Sequence, residues 1–280
     1  MMQVRWGVLG VGRAGRARAA AIQADPRSEL VGAWRGDVAS MDVHEFDSIT
    51  DMIQHVDAVA ICSPDIYHAD QVHTCLSARR HVVCEFPLAP SSREASNLYA
   101  MAMARDRVLH VEHIELLTPA AQWFRDQSEG RTFGGGSVRF TGGARKNIAS
   151  IAHANIARFH RIIDVLGVPD SLDVHRCTDT RLLVTLHYPE GRELEVDCAC
   201  EEGLERHFEM VLEYSHGILR QSDDALYRDG TRRRLRQGPG LFATDQLAAT
   251  AAILDGTASY ASPERVLDAL GLADAVMGQA

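Results

Sequence analysis

The stretch that decides the fold is V-R-W-G-V-L-G-V-G-R-A-G, residues Val4–Gly15. It begins as a short apolar strand and runs into three glycines ahead of a helix-forming segment, Arg16–Ala24. In a dinucleotide-binding turn the first glycine permits the tight turn, the second lets the backbone approach a pyrophosphate, and the third lets the helix pack closely on the strand. The positive end of that helix then faces the phosphates. The pattern predicts a cofactor-binding turn, although a purely structural glycine-rich turn has the same spacing. The predicted contacts are Gly10, Val11, Gly12, Arg13, Ala14 and Gly15.

The length and composition of the chain indicate a soluble protein of two domains. The 280 residues are 46% hydrophobic and 24% charged, which is ordinary for a globular protein. The formal net charge of -9 argues against nucleic acid or an anionic membrane as the main partner, because phosphate contacts need a basic surface. The sequence has no apolar run of about 20 residues and no recognisable signal segment, so we expect a cytoplasmic protein.

The six cysteines indicate neither a metal site nor a disulfide framework. They form no C-x-x-C pair and no Cys/His set with zinc-ligand spacing. Most of them fall in apolar, strand-like runs. We therefore expect buried, reduced thiols and no bound metal.

Strand-like and helix-like segments alternate as far as residue 115. After the glycine turn the predicted strands are Glu29–Trp34, Asp57–Cys62, His81–Glu85 and Val108–Val111. Because this alternation is typical of a parallel sheet, we predict a Rossmann domain over residues 1–117. Ligands of such sheets bind beyond the carboxyl ends of the strands, which makes Ser63, Pro64 and His68 candidate cofactor contacts. For His68, a role in capping or packing is an equal alternative.

Arg35 follows the second predicted strand, where NAD-binding proteins carry an acidic residue for the ribose hydroxyls. An arginine at that place can pair with the 2′-phosphate of NADP. We therefore expect NADPH as the cofactor. NADH stays possible, because Asp37 lies two positions further on and Arg35 could be a solvated loop residue.

The pattern changes in residues 118–280, which we assign to a second, α+β domain with a mostly antiparallel sheet. Its predicted parts are a hinge-like turn at Gly134–Gly136, an amphipathic helix over Ile151–Leu166, and strands at hairpin spacing. The strands are Ser137–Thr141, Thr180–His187, Glu193–Cys200, His207–Tyr214 and, less clearly, His216–Gln221. Two closing helices, Phe242–Leu254 and Pro263–Met277, could pack back on the first domain.

Three motifs resemble the Gfo/Idh/MocA oxidoreductase family. They are G-V-G-R-A-G in the glycine turn, A-I-C-S-P-D-I-Y-H at Ala60–His68 and H-V-V-C-E-F-P-L at His81–Leu88. The resemblance implies a Rossmann domain joined to an α/β domain with an open sheet. It also implies a nicotinamide-dependent oxidoreductase.

Two departures set the chain apart from the sugar dehydrogenases of that family. Those enzymes carry E-K-P where this chain has E-F-P, and a phenyl ring at Phe86 can neither donate nor accept the proton that the lysine moves. They also carry an Asp-x-x-x-His pair on a helix of the second domain. Aligned on Asp164, the histidine position holds Arg161 and the aspartate position holds Ala157.

One branch of the family has matching departures, the biliverdin reductases of the animal type. The chain resembles it in E-F-P, in R-V-L-H-V-E-H-I-E-L-L at Arg107–Leu117 and in I-A-R-F-H-R-I-I-D-V-L-G at Ile156–Gly167. The resemblance implies hydride transfer from NADPH to the central methine carbon of biliverdin, or of a related linear tetrapyrrole, to give bilirubin. Such a reaction deprotonates no substrate alcohol, so a site without the lysine and the histidine is compatible with it.

The resemblance also implies a role for Arg158, which falls where that branch carries a functional arginine. Arg158 could polarise the bilin or pair with a propionate, although a helix-surface arginine is the plainer interpretation. Arg161 is a further candidate one turn away, and Lys146 could bind the other propionate unless it is simply an exposed loop residue. Phe86 and Glu115 complete the candidate substrate contacts.

Several polar residues lie near the strand ends expected to face the nicotinamide. We favour cofactor positioning for Glu85 and leave Glu112 and Glu115 open between that role and holding a loop. His113 is a candidate cofactor contact that we expect to pack rather than to transfer protons. With Phe86 unable to donate, solvent or a substrate propionate is left as the proton source.

Two alternatives stay open alongside bilin reduction. One is another C=N or C=C reductase of the same family, since the resemblance is thin in the strands of the second domain. The other is a nicotinamide-binding sensor without catalysis. The oligomeric state is not indicated by the sequence.

Overall fold

The computed structural model describes residues 3–143, 150–235, 238 and 240–279. The chain divides into two compact units, Met1–Leu117 with Pro239–Leu267, and Thr118–Gly238 with Asp268–Ala280. The helices are α1 (Arg13–Ala24), α2 (Ile49–His55), α3 (His68–Ser77), α4 (Ser92–Ala104), α5 (Pro119–Ser128), α6 (Ile151–Ala154), α7 (Ile156–Leu166), α8 (Leu241–Asp255) and α9 (Pro263–Gln279).

The strands of the first unit are β1 (Val4–Val11), β2 (Ser28–Gly36), β3 (His44–Glu45), β4 (Ala58–Ile61), β5 (His81–Glu85) and β6 (Leu109–Glu112). They form a parallel sheet of order β3-β2-β1-β4-β5-β6, the doubly wound arrangement. Every residue of β4 is fully buried, as a strand covered by helices on both faces must be. Serines at the starts of α2 and α4 cap them, since Ser48 accepts the N–H of Asp51 and Ser91 that of Glu94.

The strands of the second unit are β7 (Phe133–Gly142), β8 (Ser171–Cys177), β9 (Arg181–Tyr188), β10 (Arg192–Cys200), β11 (His207–Tyr214), β12 (Gly217–Ser222), β13 (Ala225–Arg228) and β14 (Thr231–Arg233). They form one sheet of order β14-β13-β12-β11-β7-β10-β9-β8. Only the β7–β10 pair is parallel among these described strands. The predicted fold class, a Rossmann sheet plus an α+β unit with a mostly antiparallel sheet, is confirmed.

Two predictions for the second unit are wrong in detail. Gly134–Gly136 is not a hinge but part of β7, where a side chain at Gly136 would overlap the carbonyl of Val211 on β11. A glycine run can therefore mark close strand contact rather than a turn. The predicted helix Ile151–Leu166 is two helices, because Asn155 leaves the helical conformation with ψ of 7° and begins α7.

Two kinds of feature are absent from the described residues. None of the described helices combines the length and the apolar character that a membrane crossing requires. Within the same residues, no group of three or more His, Cys, Asp or Glu side chains is placed to hold a metal ion.

Candidate active site

The glycine turn joins β1 to α1 in the geometry that a bound pyrophosphate needs. Gly10 has φ of 92°, and a side chain there would meet the backbone of Ser63. A side chain at Gly15 would overlap the carbonyl of Gly10, so only glycine lets α1 approach β1. At Gly12, in contrast, a Cβ atom would meet no described atom within 4 Å, which leaves room for a ligand beside the turn. Of the predicted contacts, Gly10 and Val11 end β1, Gly12 precedes α1, and Arg13, Ala14 and Gly15 begin it.

Arg35 lies at the end of β2 and is exposed. Its guanidinium carbon is 5.2 Å from the ring centre of Trp34 and 5.8 Å from that of Tyr67, within the range of cation–π attraction. Arg35 also has φ of 68°, a left-handed conformation that is unfavourable outside glycine. A positive charge is thus held at the carboxyl end of β2. Tyr67 was not predicted from the sequence, where its only signal was an aromatic residue in the loop after β4.

The loop after β4 contains Ser63 and Pro64, and α3 begins at His68. The His68 ring is 2% exposed, with Nδ1 2.7 Å from the carbonyl oxygen of Pro87 and Nε2 2.8 Å from that of Ser63. It therefore ties the loop after β4 to the loop after β5, and the structure places it inside the protein. Ser63 donates its hydroxyl to Gln71, and Pro64 is exposed beside the turn.

A row of side chains follows the carboxyl edge of the same sheet. The pairing of β5 with β6 places Glu85 beside Glu112. When the β1–β4 and β4–β5 pairings are extended by one residue, Gly10 lies beside Cys62 and Cys62 beside Glu85. Residues aligned in this way on parallel strands point to the same face. Glu112 is 1% exposed and is hydrogen-bonded to Glu85. Burial, together with the negative charge of Glu85, raises the pKa of Glu112 to about 9.

Arg18 is the residue that organises this edge, and it was not predicted from the sequence. It is 1% exposed on α1, and its Nη2 lies 2.7 Å from Glu112 Oε2 and 2.5 Å from Asp245 Oδ2 on α8. Asp245 also accepts hydrogen bonds from Tyr260 and His110 at 2.6 and 2.7 Å. Burial alone would raise the pKa of Asp245, but Arg18 and His110 lower it below its ordinary value. Glu112 therefore takes part in an internal ion network as well as lying at the cofactor edge.

Phe86 and His113 follow the two strand ends directly. Their rings stack at 5.2 Å with 12° between planes. His113 is 2% exposed and its backbone N–H donates to the Tyr260 hydroxyl, whereas Phe86 is half-buried. Glu115 is also half-buried, in the 3₁₀ turn Ile114–Leu117.

The two predicted arginines of the second unit are buried on α7. Arg158 is 2% exposed, and its guanidinium carbon lies 3.8 Å from the ring centre of Phe140. Its only hydrogen bond within the described residues goes to the carbonyl of Ala154 at 3.4 Å, and its Nε has no acceptor there. Arg161 is 6% exposed and donates to Gln221 Oε1 at 3.0 Å. Lys146 lies outside the described residues.

Comparison with known proteins agrees with this arrangement. The model of the Gfo/Idh/MocA family, described as an oxidoreductase family with an NAD-binding Rossmann fold, matches residues 4–113. The match lies within the first unit and covers all six strands of its parallel sheet.

The chain is also similar to biliverdin reductases, as the sequence motifs indicated. It is 33% identical to biliverdin reductase A of Mus musculus over 57% of each chain, so the match spans little more than half of that relative. The crystal structure of biliverdin reductase from Synechocystis sp. PCC 6803, in complex with biliverdin and NADP+, has a TM-score of 0.87 and 25% identity over 99% of this chain and 98% of that one. UDP-N-acetylglucosamine 3-dehydrogenase of Acidithiobacillus ferrooxidans has the same TM-score at 19% identity over 100% of this chain and 98% of that one, and shows the shared fold alone.

Proposed function

We propose that the protein reduces biliverdin, or a closely related linear tetrapyrrole, with NADPH, adding a hydride to the central methine carbon to give bilirubin. The similarity to biliverdin reductases supports this proposal, and one of these relatives was crystallised with biliverdin and NADP+. The observation that supports it most directly is that Arg158 is buried and has no carboxylate partner among the described residues. The substrate class that fits this residue is an organic acid.

Arg158 is a buried cation without a carboxylate partner in the described part of the chain. A buried charge is costly unless it is paired, and proteins seldom keep an unpaired one without a use for it. Biliverdin carries two propionates, and a guanidinium can bind a carboxylate through two parallel hydrogen bonds. The unpartnered Nε of Arg158 is one of the donors that such a pair uses. Arg161, one turn further along α7, is a second candidate for the same anion.

The cofactor residues of the first unit fit a phosphorylated nicotinamide dinucleotide. The turn Gly10–Gly15 would hold the pyrophosphate against the start of α1, whose first turn has no acidic residue. Arg35 would pair with the 2′-phosphate, and Glu85 lies at the nicotinamide half of the edge. When bound, the reduced nicotinamide supplies the hydride; the chain supplies orientation, charge and a proton.

Two side chains, one in each unit, also disfavour ordinary alcohol oxidation. Phe86 stacks on His113 where a sugar dehydrogenase places its lysine, and Arg161 stands in place of the catalytic histidine. Neither side chain can take a proton from a hydroxyl at neutral pH. Reduction of a conjugated acceptor makes no such demand.

The direct test is absorbance of the purified protein with biliverdin and NADPH. We expect the biliverdin band to decay while a bilirubin-like band grows in the blue. Tight NADPH binding without turnover would favour a different conjugated substrate. Failure to bind any nicotinamide dinucleotide would exclude both reductase functions.

The role of Arg158 is tested by Arg158→Met, which retains most of the length of the side chain and removes its charge. We expect the Kd for biliverdin to rise about 10- to 100-fold, from the loss of a charge-assisted pair. The melting temperature should stay the same or rise, because a buried unpaired charge is removed. Arg139→Met is the matched control, since Arg139 is the neighbour of Phe140 on the exposed face of β7. A large loss of stability with unchanged affinity would instead show that the fold itself uses the guanidinium.

A further inference from the structure

Two carboxyl groups lie side by side where β5 and β6 end. Glu85 and Glu112 are register partners and point to the same face of the sheet. The glycine turn belongs to the same edge. In a doubly wound sheet the adenosine half of the cofactor lies over β1 and β2, where Arg35 stands, so the nicotinamide half lies over β4 to β6. The carboxyl pair is therefore at the hydride-transferring half of the edge.

The charges around this pair favour a retained proton. Arg18 is the cation that touches Glu112, and it is shared with Asp245 on α8. Asp245 is further held as a carboxylate by His110 and Tyr260. Cys62 adds no charge, since burial raises the pKa of its thiol. Glu112 and Asp245 thus share one guanidinium, and Glu85 adds a third carboxyl that is hydrogen-bonded to Glu112, so this pair can hold one proton between its members.

The two members of the pair differ in their access to solvent. Glu112 is 1% exposed and fixed by Arg18 at 2.7 Å, whereas Glu85 is half-buried. Oε1 of Glu85 is buried and has no hydrogen-bond partner among the described residues. Burial and the neighbouring Glu85 raise the pKa of Glu112 to about 9, so the pair keeps its proton at neutral pH. Glu112 therefore serves as the store, and Glu85 is the member able to reach a ligand.

Bilin reduction needs one such proton. The hydride brings two electrons and forms the C–H bond at the methine carbon, and a pyrrole nitrogen must then gain an N–H bond. The O–H bond of the carboxyl pair breaks as this N–H bond forms, which leaves both carboxylates ionised until water returns a proton. Phe86 has no proton to give, and an arginine has a pKa above about 12.

We propose, on the basis of the reductase function above, that Glu85 and Glu112 hold one shared proton and that Glu85 delivers it to the substrate. Glu85 is then a catalytic residue, Glu112 stores the proton, and Arg18 is a positioning residue. The proposal assigns the proton source that the sequence left to solvent or to a propionate.

Infrared spectroscopy of the protein without ligands tests the stored proton. We expect a C=O stretch of a protonated carboxylic acid at pH 7 that disappears with a midpoint near pH 9. Glu85→Gln and Glu112→Gln should each abolish it at pH 7, whereas Glu45→Gln, at an exposed position on β3, should not. Absence of the band from the unmodified protein would overturn the proposal.

Single-turnover kinetics test delivery of the proton. General acid catalysis is worth about 10²- to 10⁴-fold, so we expect Glu85→Gln to slow bilirubin formation by at least about 100-fold when NADPH is saturating. The rate of the unmodified protein should fall as pH rises through about 9, and this decrease should be absent from Glu85→Gln. Glu85→Asp should recover part of the rate, and Phe86→Tyr should not raise the rate above that of the unmodified protein.

The outcomes separate this proposal from the reductase function. An unchanged rate and pH profile in Glu85→Gln, with normal turnover by the unmodified protein, would overturn proton delivery alone. A large gain in Phe86→Tyr would also overturn it, by showing that the chemistry lacks a donor. If the unmodified protein does not reduce biliverdin, the reductase function fails and delivery fails with it, while the infrared band still reports the stored proton.

Discussion

Arg35 is the side chain that we propose selects NADPH over NADH. Its backbone adopts a left-handed conformation that costs a non-glycine residue about 1–2 kcal/mol. Trp34 and Tyr67 hold the charged group in place without neutralising it. An exposed cation that is held by aromatic rings, with its hydrogen-bond donors available, suits an incoming phosphate.

We predict that Arg35→Gln weakens NADPH binding about 10- to 100-fold, as expected for a lost charge-assisted hydrogen bond, and changes NADH binding by less than about 3-fold. Titration of the protein with each cofactor measures the two Kd values. Arg79→Gln is the control, because Arg79 is also exposed and has a positive φ of 57°, but precedes the amino end of β5. Equal weakening for both cofactors would mean that Arg35 contacts a part they have in common.

At the scale of single elements, β7 depends on a close backbone contact. A side chain at Gly136 would overlap the carbonyl of Val211 on β11, so the two strands can pair there only through glycine. At Gly134 the nearest atom to an added side chain is 3.5 Å away, an ordinary contact. The two glycines belong to the same run but have different constraints.

We predict that Gly136→Ala destabilises the protein by roughly 2–4 kcal/mol through backbone strain, whereas Gly134→Ala stays within about 1 kcal/mol of the unmodified protein. Urea unfolding followed by circular dichroism measures both. The paired design removes any general effect of adding a methyl group to a strand. Similar values for the two variants would show that the sheet adjusts easily at Gly136.

The same strand illustrates what could and could not be predicted from the sequence. Five of the six strands of the first unit were predictable because each is an apolar run bounded by turns, whereas β3 is a polar pair of residues, His44–Glu45. The glycine spacing marked the cofactor turn. Close approach of β7 to β11 depends on a partner far along the chain, so the glycine run resembled a hinge. The short polar strands β8, β13 and β14 carry too few apolar residues to be recognised.

The candidate site divides in the same way. Glu85, Glu112 and Arg158 were recognisable by their places in motifs. Arg18 was not, because it is one of three arginines in an alanine-rich helix and resembles a solvated residue, and its partner Glu112 is 94 residues away. Long-range ion networks leave no local pattern in a sequence.

At the scale of the whole molecule, the stored proton has to affect stability. An unfolded glutamate loses its proton near pH 4.3, whereas Glu112 in the folded protein keeps its proton up to about pH 9. Between these values Glu112 binds one proton more in the folded protein than in the unfolded chain. The contribution of Glu112 to the free energy of unfolding must therefore fall as pH rises through this window. The stabilisation from Glu112 is complete below the pKa of a glutamate in the unfolded chain. It is lost as pH rises to the pKa of Glu112 in the folded protein.

We predict that Glu112→Gln removes this contribution, so that the melting temperature of the variant minus that of the unmodified protein increases steadily from pH 5 to about pH 9 and then levels off. The acid-side contribution of Asp245 has the opposite sign and is lost only as pH falls below about 3.9, outside the window. Burial also lowers the pKa of His81 to about 4, but this group is the same in both proteins and cancels in the difference.

The control Glu45→Gln removes an exposed carboxylate, and its difference in melting temperature should not follow this pH dependence. Scanning calorimetry across the pH range measures the difference, and a value for Glu112→Gln that does not vary with pH would show that Glu112 is ionised in the folded protein.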